Sequence, residues 1–150
     1  MQKTQSFTTS SFAKTQKVAE DFAKNLKGGE VICLYGDLGF GKTTFTQGLA
    51  KGMGVTGRII SPTFIIMRSY STTFHFPFST FNSFYHVDLY RISKEEEIVE
   101  IGLLDIMNDP QNIVAIEWPE KMGKLLPEKR IEIKFEYIDE DIRRIKIIKK

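Results

Sequence analysis

The sequence is poor in the residues that hold small cross-linked domains together. It has 150 residues with one Cys and two His, which is too few for a disulfide scaffold or a Cys/His zinc module. The single thiol, Cys33, lies in a short apolar run, so we expect a small buried side chain rather than a reactive one. Both kinds of cross-linked domain are therefore excluded.

A strong excess of charge is also missing. The chain has 21 Lys and Arg against 19 Asp and Glu, a formal net charge of +2, far from the basic footprint of an autonomous nucleic-acid binder. From residue 121 onward, 10 Lys and Arg stand against 6 Asp and Glu. This excess either helps to steer the protein toward a nucleic acid or an acidic partner, or is a solvated face. We expect any nucleic acid to be met together with other proteins.

Long apolar runs are absent as well. None approaches the roughly 20 residues of a membrane-spanning helix, and the polar residues 1–6 precede no apolar core of signal-peptide length. We therefore expect a cytoplasmic protein. Its length fits one domain over residues 1–150, because each half alone would approach the size at which disulfides or metals are needed.

The apolar spacing and the turn residues predict alternating helices and strands. Helices are predicted at residues 10–26, 42–51 and 93–101, and strands at 31–35, 64–70, 84–88, 113–116, 130–137 and 142–148. Residues 31–35 and 113–116 are continuous apolar runs, typical of strands covered on both faces. The last two strands form an antiparallel hairpin. We therefore predict a three-layer α/β fold whose mixed sheet is parallel at its centre and antiparallel at its flanks.

A segment rich in Ser, Thr and Phe, residues 71–83, lies between two predicted strands and indicates a hairpin-like excursion. The phenylalanines of this segment, together with the first phenylalanine of the next strand, mostly recur at every second position: Phe74, Phe76, Phe78, Phe81 and Phe84. This spacing favours one packed strand face, with a docking surface as the alternative.

One loop carries a chemical signature. Gly36-Asp37-Leu38-Gly39-Phe40-Gly41-Lys42-Thr43 fits G-x-x-x-x-G-K-[ST] and lies between a predicted buried strand and a predicted helix. Glycines let successive backbone N–H groups converge on phosphate oxygens, and the helix adds its positive end. Lys42 adds charge for the β- and γ-phosphates, and the Thr43 hydroxyl is placed to bind Mg²⁺. The alternative is a glycine-rich turn with a solvated lysine.

Two carboxylates end predicted strands, Asp88 and Glu117. The carboxyl ends of strands are where α/β sheets bind ligands, so either residue could hold Mg²⁺ or orient an attacking water. The alternatives are a turn residue pairing with Arg91 for Asp88 and a surface acid for Glu117. Trp118 is the only tryptophan, and it is a candidate for stacking or partner contact, or else a core residue.

Together these segments resemble the TsaE family, also called the YjeE/YdiB family. Its members are small bacterial P-loop ATPases needed to make N6-threonylcarbamoyladenosine on tRNA. The resemblance covers nearly the whole chain and rests on the loop through Thr44 and on Ser61-Pro62-Thr63-Phe64, His86-Val87-Asp88-Leu89-Tyr90-Arg91 and Glu117-Trp118-Pro119-Glu120. The chain departs from the family at Phe40, where Ala is usual, and between Tyr70 and Phe84, a longer and more Phe-rich segment than expected.

The resemblance implies a set of site residues. Those implied to bind the ATP are Thr15, Gly36, Asp37, Leu38, Gly39, Phe40, Gly41, Lys42, Thr43, Thr44, Thr63 and Trp118. Thr43, Glu117 and Asp88 are the candidate Mg²⁺ ligands, and Lys42, Asp88 and Glu117 the candidate catalytic group. Thr63 would lie in a nucleotide-sensing segment, with an ordinary turn residue as the alternative.

Other polar residues have two interpretations each. Thr15 either borders the adenine or is an exposed helix residue, and His86 is more often a structural hydrogen-bonding residue than a base. Arg143 or Arg144 could reach the nucleotide, although a solvated strand edge explains both equally well.

The resemblance also implies partners, the TsaD and TsaB proteins, which carry out the threonylcarbamoyl transfer, with tRNA met indirectly. Hydrolysis is expected to be slow in isolation, because no obvious second charge-neutralising arginine flanks the loop. One alternative function is a small-molecule kinase, which is disfavoured because the expected basic lid is replaced by acidic Glu95, Glu96 and Glu97. The other is a nucleotide-gated interaction module with incidental hydrolysis.

Overall fold

The computed structural model describes residues 2–37, 41–62, 65–72 and 81–150. The strands and α-helices in these ranges are β1 (Lys3–Thr9), α1 (Phe12–Ala23), β2 (Val31–Tyr35), α2 (Lys42–Gly52), β3 (Met67–Ser71), β4 (Ser83–Asp88), α3 (Glu95–Glu100), α4 (Leu103–Asn108), β5 (Asn112–Glu117), β6 (Ile131–Tyr137) and β7 (Arg143–Lys149). A 3₁₀ segment, Pro119–Leu125, follows β5.

The strands form one sheet in the order β1-β7-β6-β2-β5-β4-β3. The pairs β2–β5, β2–β6 and β4–β5 are parallel. The pairs β1–β7, β6–β7 and β3–β4 are antiparallel. The predicted mixed sheet, with its parallel centre, antiparallel flanks and C-terminal hairpin, is therefore confirmed.

Helices cover both faces of the central strands, which explains why residues 31–34 of β2 and 113–116 of β5 are all apolar. On one face, Phe45 and Leu49 of α2 and Phe22 of α1 form a core with inward residues of the sheet. On the other face, α3, α4 and the 3₁₀ segment contribute Ile98, Leu103 and Met122 to a second core. Burying each of these large side chains contributes about 1.5–3 kcal/mol to stability. The three-layer arrangement follows from these two cores.

Glycines bring α1 and α2 into close contact. A Cβ atom at Gly48 would lie 2.7 Å from the Cβ of Ala19, and one at Gly52 would lie 2.7 Å from the Cβ of Ala23. The later glycine of α2, Gly52, contacts the later alanine of α1, Ala23, so the two helices run in the same direction. As a result, the N-terminus of α1 lies beside the N-terminus of α2, where the predicted phosphate-binding loop ends.

Several local predictions need correction. The strand predicted at 64–70 is β3 and begins only at Met67, because Ile65 and Ile66 form a turn and Ile66 has a positive φ of 70°. The helix predicted at 93–101 is α3, which begins only after Lys94 and has no side-chain hydrogen bond at its N-cap. The Ser93 hydroxyl donates to the Glu97 carboxylate at 2.9 Å.

Two elements were not predicted, β1 and α4. Strand β1 is almost entirely exposed and polar, so it lacks the apolar alternation by which strands are recognised. It forms because its backbone pairs along its full length with β7. Helix α4 is only six residues long, too short to show a helical apolar period. Both elements depend on tertiary contacts rather than on local sequence.

The structure also tests two predictions about individual side chains. Cys33 is fully buried in β2, as predicted, and its desolvation raises the pKa of the thiol to about 12. Phe81 and Phe84 are buried, which confirms the packing interpretation for them. Phe74, Phe76 and Phe78 lie outside the described residues. Across the described ranges, no helix is both long and apolar enough to cross a membrane.

We predict that Gly48→Ala destabilises the protein. The added methyl group would press on Ala19 and on the Gln16 backbone of α1. Overpacking of this kind costs about 1–3 kcal/mol, which exceeds the roughly 0.5–1 kcal/mol gained by replacing a helical glycine. Urea denaturation measures the difference. Lys51→Ala is the control, because that lysine side chain is 70% exposed and its loss should change stability by less than about 0.5 kcal/mol. A more stable Gly48→Ala protein would contradict the close contact.

Candidate nucleotide-binding site

The candidate site lies at the carboxyl edge of the parallel strands. In the sheet register, Glu117 of β5 is paired with Leu34 of β2 on one side and with Asp88 of β4 on the other. Gly36 and Asp37 directly follow β2, and α2 begins at Lys42. The two carboxylates and both ends of the predicted phosphate-binding loop are therefore brought to the same edge, where open α/β sheets bind ligands.

Both ends of the loop need glycine. Gly36 has φ 150° and Gly41 has φ 103°, values that favour residues without a Cβ atom. A Cβ atom at Gly36 would also lie 3.2 Å from the Cβ of Phe135, and one at Gly41 would lie 3.8 Å from its ring. Phe135 of β6 thus supports both ends of the loop. Leu38, Gly39, Phe40 and Thr63, all predicted to bind nucleotide, lie outside the described residues.

The first turn of α2 is suited to binding an anion. Gly41 occupies the N-cap and makes no side-chain capping bond, so the first backbone N–H groups of an 11-residue helix are left for a ligand. Thr43 is exposed and Thr44 is half-buried. The hydroxyl implied to bind Mg²⁺ is therefore accessible.

Lys42 is buried against Trp118. Its side chain is 4% exposed, and its Nζ lies 4.6 Å from the centre of the Trp118 ring. A desolvated cation–π contact of this kind is worth about 2 kcal/mol. The lysine of the loop therefore interacts with an aromatic face at the site rather than extending into solvent, which contradicts the alternative of a solvated lysine.

Trp118 adopts an unusual backbone conformation, with φ 59° and ψ 47°, in which a bulky residue is seldom found. Its half-buried ring lies between Lys42 and the exposed Tyr90, whose ring centre is 5.2 Å away. Strain at such a position persists only when the surroundings fix it, and it is common at functional sites. Trp118 therefore lies at the candidate site, in contact with Lys42.

The two carboxylates are buried. Asp88 is 5% exposed and Glu117 is 6% exposed, so the alternative of Glu117 as a surface acid is wrong. Asp88 Oδ1 accepts a hydrogen bond from the Tyr90 backbone N at 2.9 Å, as a turn residue does. Glu117 Oε2 lies 2.8 Å from Nε2 of the fully buried His86. His86 therefore has the structural hydrogen-bonding role that the sequence favoured.

A cleft of about 330 Å³ adjoins the loop. Its walls come from the start of α1, the start of α2 and the β6–β7 turn: Ser10, Ser11, Phe12, Thr15, Gly41, Glu140, Asp141 and Arg143. Thr15 is buried, with its hydroxyl 2.8 Å from that of Thr9, so it is not an exposed helix residue. Apart from Thr15 and Gly41, and Arg143 as an open alternative, the sequence did not indicate these residues. Nothing local reveals that the β6–β7 turn packs beside the loop.

The structure separates the two candidate arginines. Arg143 borders the cleft, but its guanidinium donates to backbone carbonyls of the β6–β7 turn, including that of Asp139 at 2.7 Å. Arg144 lies 3.5 Å from Glu136 in the neighbouring strand. Arg143 therefore shapes the wall of the cleft, and Arg144 belongs to a partly exposed ion pair between β7 and β6, which are both interior strands of the sheet.

Within the described part of the chain, no group of three or more His, Cys, Asp and Glu side chains is placed to hold a metal ion. Mg²⁺ needs no such cage, because it is usually bound by one or two carboxylates together with substrate phosphates and water. The neighbouring Asp88 and Glu117, with the accessible Thr43 hydroxyl, are the oxygen ligands that this ion prefers. The available side chains therefore fit Mg²⁺ and not a caged transition metal.

Comparison with known proteins gives one consistent result. The family model described as threonylcarbamoyl adenosine biosynthesis protein TsaE matches residues 9–145. A relative from Rickettsia felis, named tRNA threonylcarbamoyladenosine biosynthesis protein TsaE, is 40% identical over 136 residues, which cover 90% of this chain and 74% of the relative. A Bacillus subtilis protein of the same name is 36% identical over 88% of this chain and 77% of its own length. The crystal structure of Bacillus subtilis YdiB aligns with 99% of this chain and 87% of that chain, at a TM-score of 0.76 and 31% identity.

We predict that Lys42→Met stabilises the ligand-free protein by about 1 kcal/mol, because the cost of burying the ammonium exceeds the roughly 2 kcal/mol of its contact with Trp118, while the methionine keeps an apolar stem against that ring. Chemical denaturation without nucleotide measures the effect. Lys51→Met, at an exposed position of the same helix, is the matched control and should change stability little. Destabilisation by Lys42→Met well beyond that of the control would show that the ammonium is a net structural contact.

Proposed function

Because the chain belongs to the TsaE family of threonylcarbamoyl adenosine biosynthesis proteins, we propose that it is a Mg²⁺-dependent ATPase serving tRNA modification. It would act in the cytoplasm, as a single P-loop domain, in the formation of N6-threonylcarbamoyladenosine. The observation that carries the proposal is the position of Lys42, Asp88 and Glu117, which the sheet brings to one edge beside an uncapped helix. That arrangement suits phosphoryl chemistry, in which positioning and charge do most of the work.

The phosphates bind at the start of α2. Backbone N–H groups of its first turn and of the loop donate to phosphate oxygens, and Lys42 places its charge on the β- and γ-phosphates. To do so, Lys42 leaves the face of Trp118, so nucleotide binding changes the surroundings of that ring. Gly36 and Gly41 allow the backbone to approach the ligand closely.

Thr43, Asp88 and Glu117 would hold Mg²⁺ through oxygen atoms, directly or through water. When bound, the ion neutralises charge that develops on the β- and γ-phosphates. The chain's own contribution is to keep two carboxylates buried side by side, where one orients the attacking water and accepts its proton.

The nucleoside occupies the cleft beside Gly41. The cleft's volume of about 330 Å³ is at the lower end of the range for small-molecule pockets. The exposed ring of Phe12 and the buried Thr15 line one wall, and the β6–β7 turn lines the other. A nucleoside bound in this cleft would lie next to phosphates bound at the start of α2.

Partners complete the cycle. We propose that the protein docks on the TsaD–TsaB complex and that docking accelerates hydrolysis, since a single added arginine is worth about 10³ to 10⁵ in rate at comparable sites. The tRNA is then held mainly by those partners, in keeping with a net charge of only +2.

We predict slow ATP hydrolysis by the isolated protein and at least tenfold faster turnover with TsaD and TsaB. Phosphate release measured with and without the partners tests this. Glu117→Ala should retain ATP binding and lose about 10²-fold or more in turnover, and Lys42→Ala should lose binding. Lys51→Ala is the control. Unchanged turnover with the partners would contradict the coupling, and repeated rounds of tRNA modification by hydrolysis-dead Glu117→Ala would favour the nucleotide-gated module.

We also predict that ADP changes the fluorescence of Trp118, the only tryptophan, because Lys42 moves from its ring to the phosphates. Emission is followed during an ADP titration, with calorimetry as an independent measure of binding. Lys42→Met should abolish the response, and Trp118→Phe should leave no tryptophan signal. Constant emission during calorimetrically verified ADP binding would contradict the proposed movement of Lys42.

A further inference from the structure

His86 is connected to the site through a single carboxylate. Its side chain is fully buried, and Nε2 lies 2.8 Å from Glu117 Oε2. In the parallel register, His86 is paired with Ala115, two residues before Glu117. Ala115 and Glu117 share a face of the sheet because they are two residues apart. The imidazole of His86 therefore reaches diagonally from β4 to the carboxyl end of β5.

The geometry fixes the roles of the ring nitrogens. A carboxylate oxygen can only accept, so Nε2 carries the hydrogen and donates it to Glu117. Nδ1 is buried without a hydrogen-bond partner in the described part of the chain. A buried polar atom without a partner destabilises the fold. Within the described residues, the hydrogen bond to Glu117 is therefore the only one that the ring makes, so its structural role is to hold that carboxylate.

The bond also distinguishes the two oxygens of Glu117. Oε2 is held by His86, while Oε1 makes no hydrogen bond within the described ranges. We propose that His86 is a positioning residue for Glu117, whose Nε2–H fixes Oε2 and leaves Oε1 as the oxygen available to Mg²⁺. This inference rests on the proposed function, because it assumes the metal role of Glu117.

Loss of the bond should weaken the metal site rather than the nucleotide site. Without a donor at Oε2, the Glu117 carboxylate can rotate away from its binding orientation. Loss of such an outer partner typically lowers metal affinity about 10–100-fold. Contacts of the phosphates with the loop and with α2 do not involve His86, so metal-free nucleotide binding should stay the same.

The experiment measures binding of a non-hydrolysable ATP analogue by calorimetry, once with Mg²⁺ and once with EDTA. The dissociation constant in EDTA divided by the dissociation constant with Mg²⁺ reports how strongly the metal supports binding. His86→Leu keeps the volume and removes the donor, so we expect this ratio to fall about 10–100-fold with little change of the constant in EDTA. His86→Gln keeps an N–H donor of similar reach and should restore most of the ratio. His86→Asn is too short to reach Oε2 and should not.

Controls separate positioning from general damage to the strand. Val87→Ala creates a cavity in the same strand but in the opposite core, so it should lower the melting temperature and leave the ratio unchanged. In a Glu117→Gln background, His86→Leu should cause no further fall, because the residue acts only through Glu117. If the Leu variant does not fold, the comparison of Gln with Asn decides alone.

The opposite results distinguish a failure of the positioning role of His86 from a failure of the proposed function. A His86→Leu ratio equal to that of the unmodified protein, or equal ratios for the Gln and Asn variants, would overturn the positioning role and leave the proposed function intact. A further fall in the Glu117→Gln background would also overturn it. If the unmodified protein itself binds the analogue no better with Mg²⁺, the proposed metal site fails as well.

Discussion

The parallel alignment of β4, β5 and β2 is the constraint on which the site depends. Because the three strands run in the same direction, their carboxyl ends meet at one edge, and Asp88 and Glu117 come to lie opposite each other. Desolvating two neighbouring carboxylates costs free energy. The burial of apolar side chains on both faces of the sheet must therefore contribute more than this cost. The two cores on either side of these strands supply that burial.

Strain is concentrated at the same edge. Ile66 and Trp118, the non-glycine residues with positive φ in the described ranges, both border the strand ends. The Ile66 carbonyl accepts from the Asp88 backbone N at 2.7 Å, and its own N–H donates to the Pro62 carbonyl at 2.6 Å. The backbone of one candidate metal ligand is thus joined to the Ser61-Pro62 segment through a conformation that costs about 1–3 kcal/mol. Such a link is suited to responding when a ligand alters that segment.

The sequence predicted those parts of the molecule in which local pattern and tertiary role coincide. β2 and β5 are apolar because both of their faces are covered, and the loop is recognisable because close backbone approach requires glycine. β1 could not be predicted, because its polar residues form a strand only by pairing with β7, which lies at the other end of the sequence. For the same reason the cleft was largely missed. Its outer wall is a turn whose position depends on how β6 joins β2, which no local pattern encodes.

Phe135 makes the C-terminal hairpin part of the proposed phosphate site. Its side chain lies under both Gly36 and Gly41 and packs edge-on against Phe45 of α2, with ring centres 5.6 Å apart. Every motif recognised in the sequence lies before residue 121, yet the residue that supports the loop comes after all of them. A fragment ending at residue 126 would therefore keep all of the recognisable signature and lose both the floor of the loop and one wall of the cleft.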